Sequence, residues 1–353
     1  MTQNTVPLDP QPYLHTRVHD GTGVITLDRP KALNALTAQM YADLLELLWA
    51  WADDSDIRQV LVRSSAPRAF CAGGDIRQIR HTVLDSGVDA AVAAFRDEYT
   101  LNNVISTYPK PYIAVMEGYT MGGGMGISVH GSHRIATENT VLAMPECVIG
   151  YFPDVGASWF LPRMNVPGRG YSLPLARWMG LGGQRISGAD AVAVGLADHL
   201  VASDRLEVFH HAVLADGVDA AVAEYALPHD DAVAQATVLE RVEQIESVYG
   251  ADSLEDVLAA AGQDCAGAAP SSLVRTWELL NVGATAASAT ECLERELAFA
   301  RDAVAAPDFR EGVRCMLVDK EDTPVWQPPT IGDVDVDHIR AVLRTSEPLR
   351  ERL

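Results

Sequence analysis

Basic residues are scarce in this 353-residue chain. Lys and Arg total 27 against 48 Asp and Glu, a net charge of −21. A surface this acidic excludes nucleic acid and anionic membranes as main partners, because both are repelled by its bulk. A small anion held by a local basic patch stays compatible with it. Cysteine is also scarce. The five thiols (Cys71, Cys147, Cys265, Cys292, Cys315) are far apart and form no Cys-x-x-Cys pair. That argues against a zinc site and a disulfide framework, and for reduced thiols in the cytoplasm. No run of about 18 uncharged apolar residues exists, so no membrane span is expected. The opening MTQNTVPLDPQPY has neither a basic leader nor an apolar core, so no signal or transit peptide is expected. Gly-x4-Gly-Lys-Ser/Thr is missing, which excludes a nucleotide P-loop. No Gly-x-Gly-x-x-Gly with an acidic ribose partner supports a dinucleotide site. The ten histidines show no ligand spacing such as His-Glu-x-x-His, and no metal is expected.

What is present is enough for a large core: 48% of residues are hydrophobic. A prior of about 150 residues per domain gives roughly two domains. Strand-like runs lie at Gly23–Leu27, Gln59–Arg63, Pro111–Met116, His133–Ala136 and Val141–Ala143. Between the first two, Thr37 can cap a helix reaching Trp51, with Tyr41, Leu44, Leu45, Leu48 and Trp51 on one face. This alternation predicts an α/β fold with a mostly parallel sheet. After about residue 205 the strand signals fade. Helices are predicted over 216–227, 231–249, 253–261, 271–280 and 286–303, and Pro324–Pro329 (PVWQPP) reads as extended. The expected division is a core at 1–205 and a mainly helical region at 206–353.

Three clusters can carry chemistry. Phe70-Cys71-Ala72-Gly73-Gly74-Asp75 follows a strand and precedes a helix. Its glycines let a ligand approach the backbone, and its free N–H groups suit an anion or a carbonyl oxygen. An ordinary tight turn would read the same. Met121-Gly122-Gly123-Gly124-Met125-Gly126 follows another strand. Consecutive glycines fit a helix N-terminus offering donors, and equally a close helix–sheet contact. Met144-Pro145-Glu146 and Gly150-Tyr151-Phe152-Pro153-Asp154-Val155-Gly156 place two carboxylates eight residues apart among apolar neighbours. Such a setting tunes carboxyl groups for acid or base work, although caps and backbone-bonded loop carboxylates look alike in sequence.

Together these motifs resemble the crotonase (enoyl-CoA hydratase/isomerase) superfamily. Asp28-Arg29-Pro30-Lys31-Ala32-Leu33-Asn34-Ala35-Leu36, Ile186-Ser187-Gly188-Ala189-Asp190 and Gly195-Leu196-Ala197-Asp198 fit it as well. Within it, the closer resemblance is to the 3-hydroxyisobutyryl-CoA hydrolases. It is carried by Phe95-Arg96-Asp97-Glu98-Tyr99 with Asn102-Asn103, by the Gly150–Gly156 motif, and by Pro270-Ser271-Ser272-Leu273. Phe309–Arg314 through Asp319-Lys320, with Pro324, Trp326 and Pro328, completes it. Hydratases of the superfamily carry a first glutamate two positions after the triple glycine, where this chain has Gly126.

The resemblance implies a crotonase-like ββα spiral core with a helical C-terminal region. It implies hydrolysis of a short branched 3-hydroxyacyl-CoA, 3-hydroxyisobutyryl-CoA, as in valine catabolism. The alternative is an enoyl-CoA hydratase or isomerase, and a third reading is a CoA-binding protein without turnover. The N–H groups of Gly74 and Gly123 would form the oxyanion hole. Glu146 would attack the carbonyl or activate water, and Asp154 would assist it. Glu98 would bind the substrate hydroxyl, unless it is a solvated helix residue. Ala72, Gly73 and Asp75 would line the substrate, and Arg29, Lys31 and Arg68 would meet the CoA phosphates unless they are plain surface charges. No cofactor is implied beyond the substrate's own coenzyme A. A trimer-type homo-oligomer is the expected assembly.

Overall fold

The computed structural model describes residues 13–320 and 322–352. Its first half follows the apolar runs. The β1 (Leu14–His19)/β2 (Thr22–Leu27) hairpin leads to α1 (Ala38–Asp53), β3 (Gln59–Ser64) and β4 (Ala69–Cys71). Then come α2 (Ile76–Ser86), α3 (Val88–Ser106), β5 (Tyr112–Met116), β6 (Tyr119–Met121), α4 (Gly123–Gly126), β7 (His133–Ala136) and β8 (Val141–Ala143). Next are α5 (Ala157–Phe160), β9 (Asn165–Val166), β10 (Gly170–Tyr171), α6 (Leu173–Gly182), β11 (Ile186–Ser187), α7 (Gly188–Val194) and β12 (His199–Leu200).

Successive strands feed two sheets. One runs β1-β2-β3-β5-β7-β12 and the other β11-β8-β6-β4, so β3/β4, β5/β6 and β7/β8 each give one strand to either sheet. Only the β1–β2 and β11–β8 pairs within these sheets are antiparallel. This is the expected α/β ββα spiral. β5 is buried along its whole length, which explains its continuous apolar run. The Thr37 side chain accepts from the Met40 N–H, and Tyr41, Leu44, Leu45, Leu48 and Trp51 are all buried, as predicted for α1.

From residue 206 onward the regular elements are helices: α8 (Leu206–Asp216), α9 (Val218–Tyr225), α10 (His229–Val233), α11 (Val238–Tyr249), α12 (Leu254–Ala261), α13 (Pro270–Gly283), α14 (Ala289–Ala305), α15 (Pro307–Val313), a π-helical turn at Arg314–Asp319, and α16 (Val336–Leu343), with short 3-10 turns between some of them. Two expected helices are corrected. The 216–227 helix is α9 alone, because Gly217 at φ 89° ends α8 before it. The 231–249 helix is divided, because the Asp190 carboxylate of α7 accepts from the Thr237 and Val238 N–H groups (2.6 and 2.7 Å) and caps a new helix there. Pro324–Pro329 is irregular, and the Gln327 N–H donates to Asp308 at 2.7 Å.

One apolar cluster joins Phe95, Met125, Tyr151 and Phe152 to Leu297, Phe299 and Phe309 of the helical region. A second, on the other sheet face, packs Leu61, Ile113 and Ile135 under Phe209 and Val213 of α8. Among the described residues, no helix is long and apolar enough to cross a membrane.

Candidate active site

Strand ends and glycine turns of the smaller sheet open onto one cavity of about 270 Å³. Ala72, Gly73 and Gly74 leave β4, Gly122 and Gly123 leave β6, and Glu146 follows β8; all line the cavity. Glu98 of α3 and Asp154 complete its polar wall, so three carboxyl groups share one small space. Ile76, Phe95, Met121, Val148 and Ile149 make it mainly apolar, and Met316 and Leu317 of the π-helical turn close it.

The glycines are needed because the two glycine turns approach each other closely and side-chain ends fill the remaining space. A Cβ on Gly123 would stand 2.3 Å from the Tyr41 hydroxyl, 2.7 Å from Glu98 Oε1 and 3.2 Å from Gly74 N. Among the described residues, neither the Gly74 nor the Gly123 N–H has a hydrogen-bond acceptor. Gly123 opens α4, where a first-turn N–H has no partner in its own helix. Two residues with unspent donors therefore line the same cavity as the carboxyl groups.

Each carboxyl group has its own setting. Glu98 Oε1 accepts the Tyr41 hydroxyl at 2.5 Å. Asp154 Oδ2 accepts the Tyr99 hydroxyl at 2.6 Å, and Tyr99 Oη lies 3.1 Å from Tyr151 Oη. Glu146 Oε2 is buried with no partner within the protein. Burial first, and then the charge of Asp154, hold Glu146 well above the usual carboxylate range. The same two causes act in that order on Glu98, against the Tyr41 hydrogen bond. Burial pushes Asp154 up to about 7, with Tyr99 opposing. The backbone beside it is strained: Val155 sits at φ 55° and Gly156 at φ 85°, and a left-handed β-branched residue costs about 1–2 kcal/mol.

This electrostatic load has a sign. Asp154 titrates near 7 in the fold against 3.8 ordinarily, so between those values the fold binds more protons than the unfolded chain. Its contribution to stability is greatest below the usual carboxylate range and falls as pH rises towards 7. Asp154→Asn keeps an acceptor for Tyr99 without the charge. Its Tm is expected to exceed the wild-type value by about 3 °C at pH 8 and to converge on it near pH 4. Calorimetry at both pH values checks this, and a variant less stable at pH 8 contradicts it.

Of the residues singled out from sequence, Ala72, Gly73, Gly74, Glu98, Gly123, Glu146 and Asp154 meet in the cavity. Asp75, Arg29 and Lys31 are not in its wall. Asp75 caps α2 by accepting from the Gln78 N–H at 3.2 Å, and it pairs with Arg29 at 2.9 Å. Arg29 also donates to the Ala35 carbonyl. Lys31 lies exposed on a 3-10 turn, and neither it nor exposed Arg68 makes an ion pair among the described residues. Sequence reasoning missed the tyrosines that hold the carboxyl groups. Tyr41 was visible only as a core position on α1, and Tyr99 and Tyr151 lay inside quoted motifs without a role. It also missed Glu296, fully buried on α14 and bonded to the segment after Asp154. Its signal was a glutamate on an apolar face, beside Leu293, Leu297 and Ala300. Among the described residues, no group of three or more His, Cys, Asp or Glu is placed to hold a metal ion.

A family model described as enoyl-CoA hydratase/isomerase matches residues 22–343. A Danio rerio protein named 3-hydroxyisobutyryl-CoA hydrolase, mitochondrial, is 38% identical over 331 residues, covering 88% of this chain and 84% of that one. The Homo sapiens protein of the same name is 36% identical, covering 89% and 83%. A solved carnitinyl-CoA dehydratase from Mycobacterium thermoresistibile superposes with a TM-score of 0.87 at 36% identity, over 96% of this chain and 98% of that one. An enoyl-CoA hydratase from Rhodobacter sphaeroides 2.4.1 gives 0.84 at 31%, with the same coverage.

Proposed function

The chain belongs to the enoyl-CoA hydratase/isomerase family, and from that premise we propose that it hydrolyses a short branched 3-hydroxyacyl-CoA thioester, namely 3-hydroxyisobutyryl-CoA. The observation that carries the reading is the wall of the cavity: Gly74 and Gly123, whose N–H groups have no acceptor among the described residues, line it together with Glu146, Asp154 and Glu98. The hydrolase relatives at 36–38% identity over nearly the whole chain support it.

The thioester oxygen lies between the Gly74 and Gly123 N–H groups, which stabilise the negative charge formed when the carbonyl carbon is attacked. Glu146, whose Oε2 has no protein partner, either attacks that carbon or takes a proton from the attacking water. Both routes break the C–S bond and end in CoA thiol and the free 3-hydroxy acid. Asp154, held by Tyr99 and with an affinity for protons near neutrality, exchanges a proton with the reacting set. Glu98 offers its carboxyl to the 3-hydroxyl group. Met316 and Leu317 bound the acyl pocket and favour a short chain.

Hydration of an enoyl-CoA is disfavoured by the space around Gly126. A Cβ there would stand 2.8 Å from both Asn102 Nδ2 and Val155 Cβ, so the position has no room for the first glutamate of a hydratase. A panel of hydroxyacyl- and enoyl-CoA esters with product masses separates hydrolysis from hydration. The product fits valine catabolism in a reducing compartment such as the cytoplasm, where five buried, unpaired thiols stay reduced. A trimer-type assembly is part of the proposal, and light scattering at three chain masses would support it.

Lys31, Arg68 and Arg77 are exposed cations of the segments around the first glycine turn and make no ion pair among the described residues, whereas Arg29 is engaged by Asp75. Lys31→Glu is expected to raise KM for the acyl-CoA about threefold with kcat unchanged, an effect that shrinks in high salt. Initial rates at low and high ionic strength check it, and an unchanged KM would remove Lys31 from the phosphate site.

A further inference from the structure

Two contacts tie the π-helical turn and α14 to the candidate site. Met316 and Leu317 are one contact. The other is Glu296 of α14, which is fully buried and pairs with no cation among the described residues. Its Oε2 accepts from the Gly156 N–H at 2.6 Å. Its Oε1 accepts from the Ser158 N–H at 3.0 Å and from the Ser158 hydroxyl at 2.5 Å. Across the same turn, His130 Nε2 lies 2.7 Å from the Val155 carbonyl oxygen. Burial lowers that imidazole to about 4, so it is neutral and its Nε2–H donates. Between these two anchors lie the two left-handed residues that follow Asp154.

A buried carboxyl group without a cation, its proton affinity pushed up to about 8 by burial, is a costly way to fill space, and an apolar side chain of the same size would pack α14 better. All three bonds of Glu296 go to the turn that carries Asp154. The left-handed Val155 persists only where its surroundings over-determine it. We infer that Glu296 is a positioning residue: with His130 it clamps the Asp154–Ser158 turn and thereby aims the Asp154 carboxylate into the cavity. The inference rests on the proposed role of Asp154 in hydrolysis. It makes the helical region part of the catalytic apparatus, 142 residues along the chain from the group it aims.

A double-mutant cycle on the full-length protein tests it, with kcat, KM and Tm measured for 3-hydroxyisobutyryl-CoA. Gln at 296 has one acceptor oxygen where the turn presents donors to two. Glu296→Gln is expected to lower kcat about 10-fold and Glu296→Ala about 100-fold, with KM within twofold, as a misplaced reacting group would. In the Asp154→Asn background, Glu296→Gln should cost less than about twofold, because the aimed group is already gone. An equal cost in both backgrounds, or a lowered Tm with kcat unchanged, overturns the clamp. Should Glu296→Ala fail to fold, Glu296→Gln and Ser158→Ala carry the comparison. If Asp154→Asn turns over as fast as wild type, the fault lies in the reading of Asp154 and the clamp falls with it. A wild type inert on this ester refutes the substrate instead, and the cycle is then run on the ester that the panel shows to be turned over.

Discussion

Glu146→Gln is expected to lower kcat for thioester hydrolysis by about 10³-fold, within the range that positioned acid–base groups supply. No side chain hydrogen-bonds to this carboxyl group among the described residues and its Oε2 is buried without a partner, whereas Glu98 and Asp154 each hold a tyrosine hydroxyl. The amide is isosteric but cannot attack a carbonyl or take a proton from water. Folding should not suffer, because the replaced group is buried and its charge is disfavoured first by burial and then by Asp154. The expected signature is a wild-type or higher Tm, a KM within a few-fold, and almost no thiol release. Retention of more than a tenth of the wild-type kcat would remove Glu146 from the chemistry.

Gly123→Ala is expected to be nearly as damaging, by about 10²- to 10³-fold, the usual loss when an oxyanion donor is displaced. The added methyl would stand 2.3 Å from the Tyr41 hydroxyl and 2.7 Å from Glu98 Oε1. Both are side-chain ends, so they can move, but only by breaking the Tyr41–Glu98 hydrogen bond and moving into the space of the thioester. Tyr41→Phe in the same background removes the nearer obstacle. The double variant is expected to recover part of the Tm but little of the kcat, since the donor still faces a blocked cavity. A Gly123→Ala protein with wild-type kcat would show that its N–H is not used.

Much of this was legible before the structure. β3 and β5 were visible because buried residues on both faces make continuous apolar runs. The three glycine and carboxylate motifs were visible because close backbone approach leaves so few residue choices. What was illegible depended on partners far along the chain. β1 has one buried residue in six, so an edge strand left no apolar pattern. The break at Thr237 is made by Asp190, 47 residues away. Asp75 reads as part of a substrate loop until Arg29, 46 residues earlier, is seen to hold it. Tyr41 reads as core, and is core on one face, yet its hydroxyl reaches Glu98 from another helix. Glu296 follows the same rule: a polar residue on an apolar helical face is a question that only the opposing backbone answers.

The central claim is that this family fold performs thioester hydrolysis with Glu146 rather than addition of water across a double bond. The most direct test supplies purified protein with 3-hydroxyisobutyryl-CoA and, separately, crotonyl-CoA, while free thiol and product mass are followed. The account predicts stoichiometric CoA thiol and 3-hydroxyisobutyrate from the first, lost in Glu146→Gln, and no hydrated product from the second. An intact first ester together with hydration of crotonyl-CoA would contradict it.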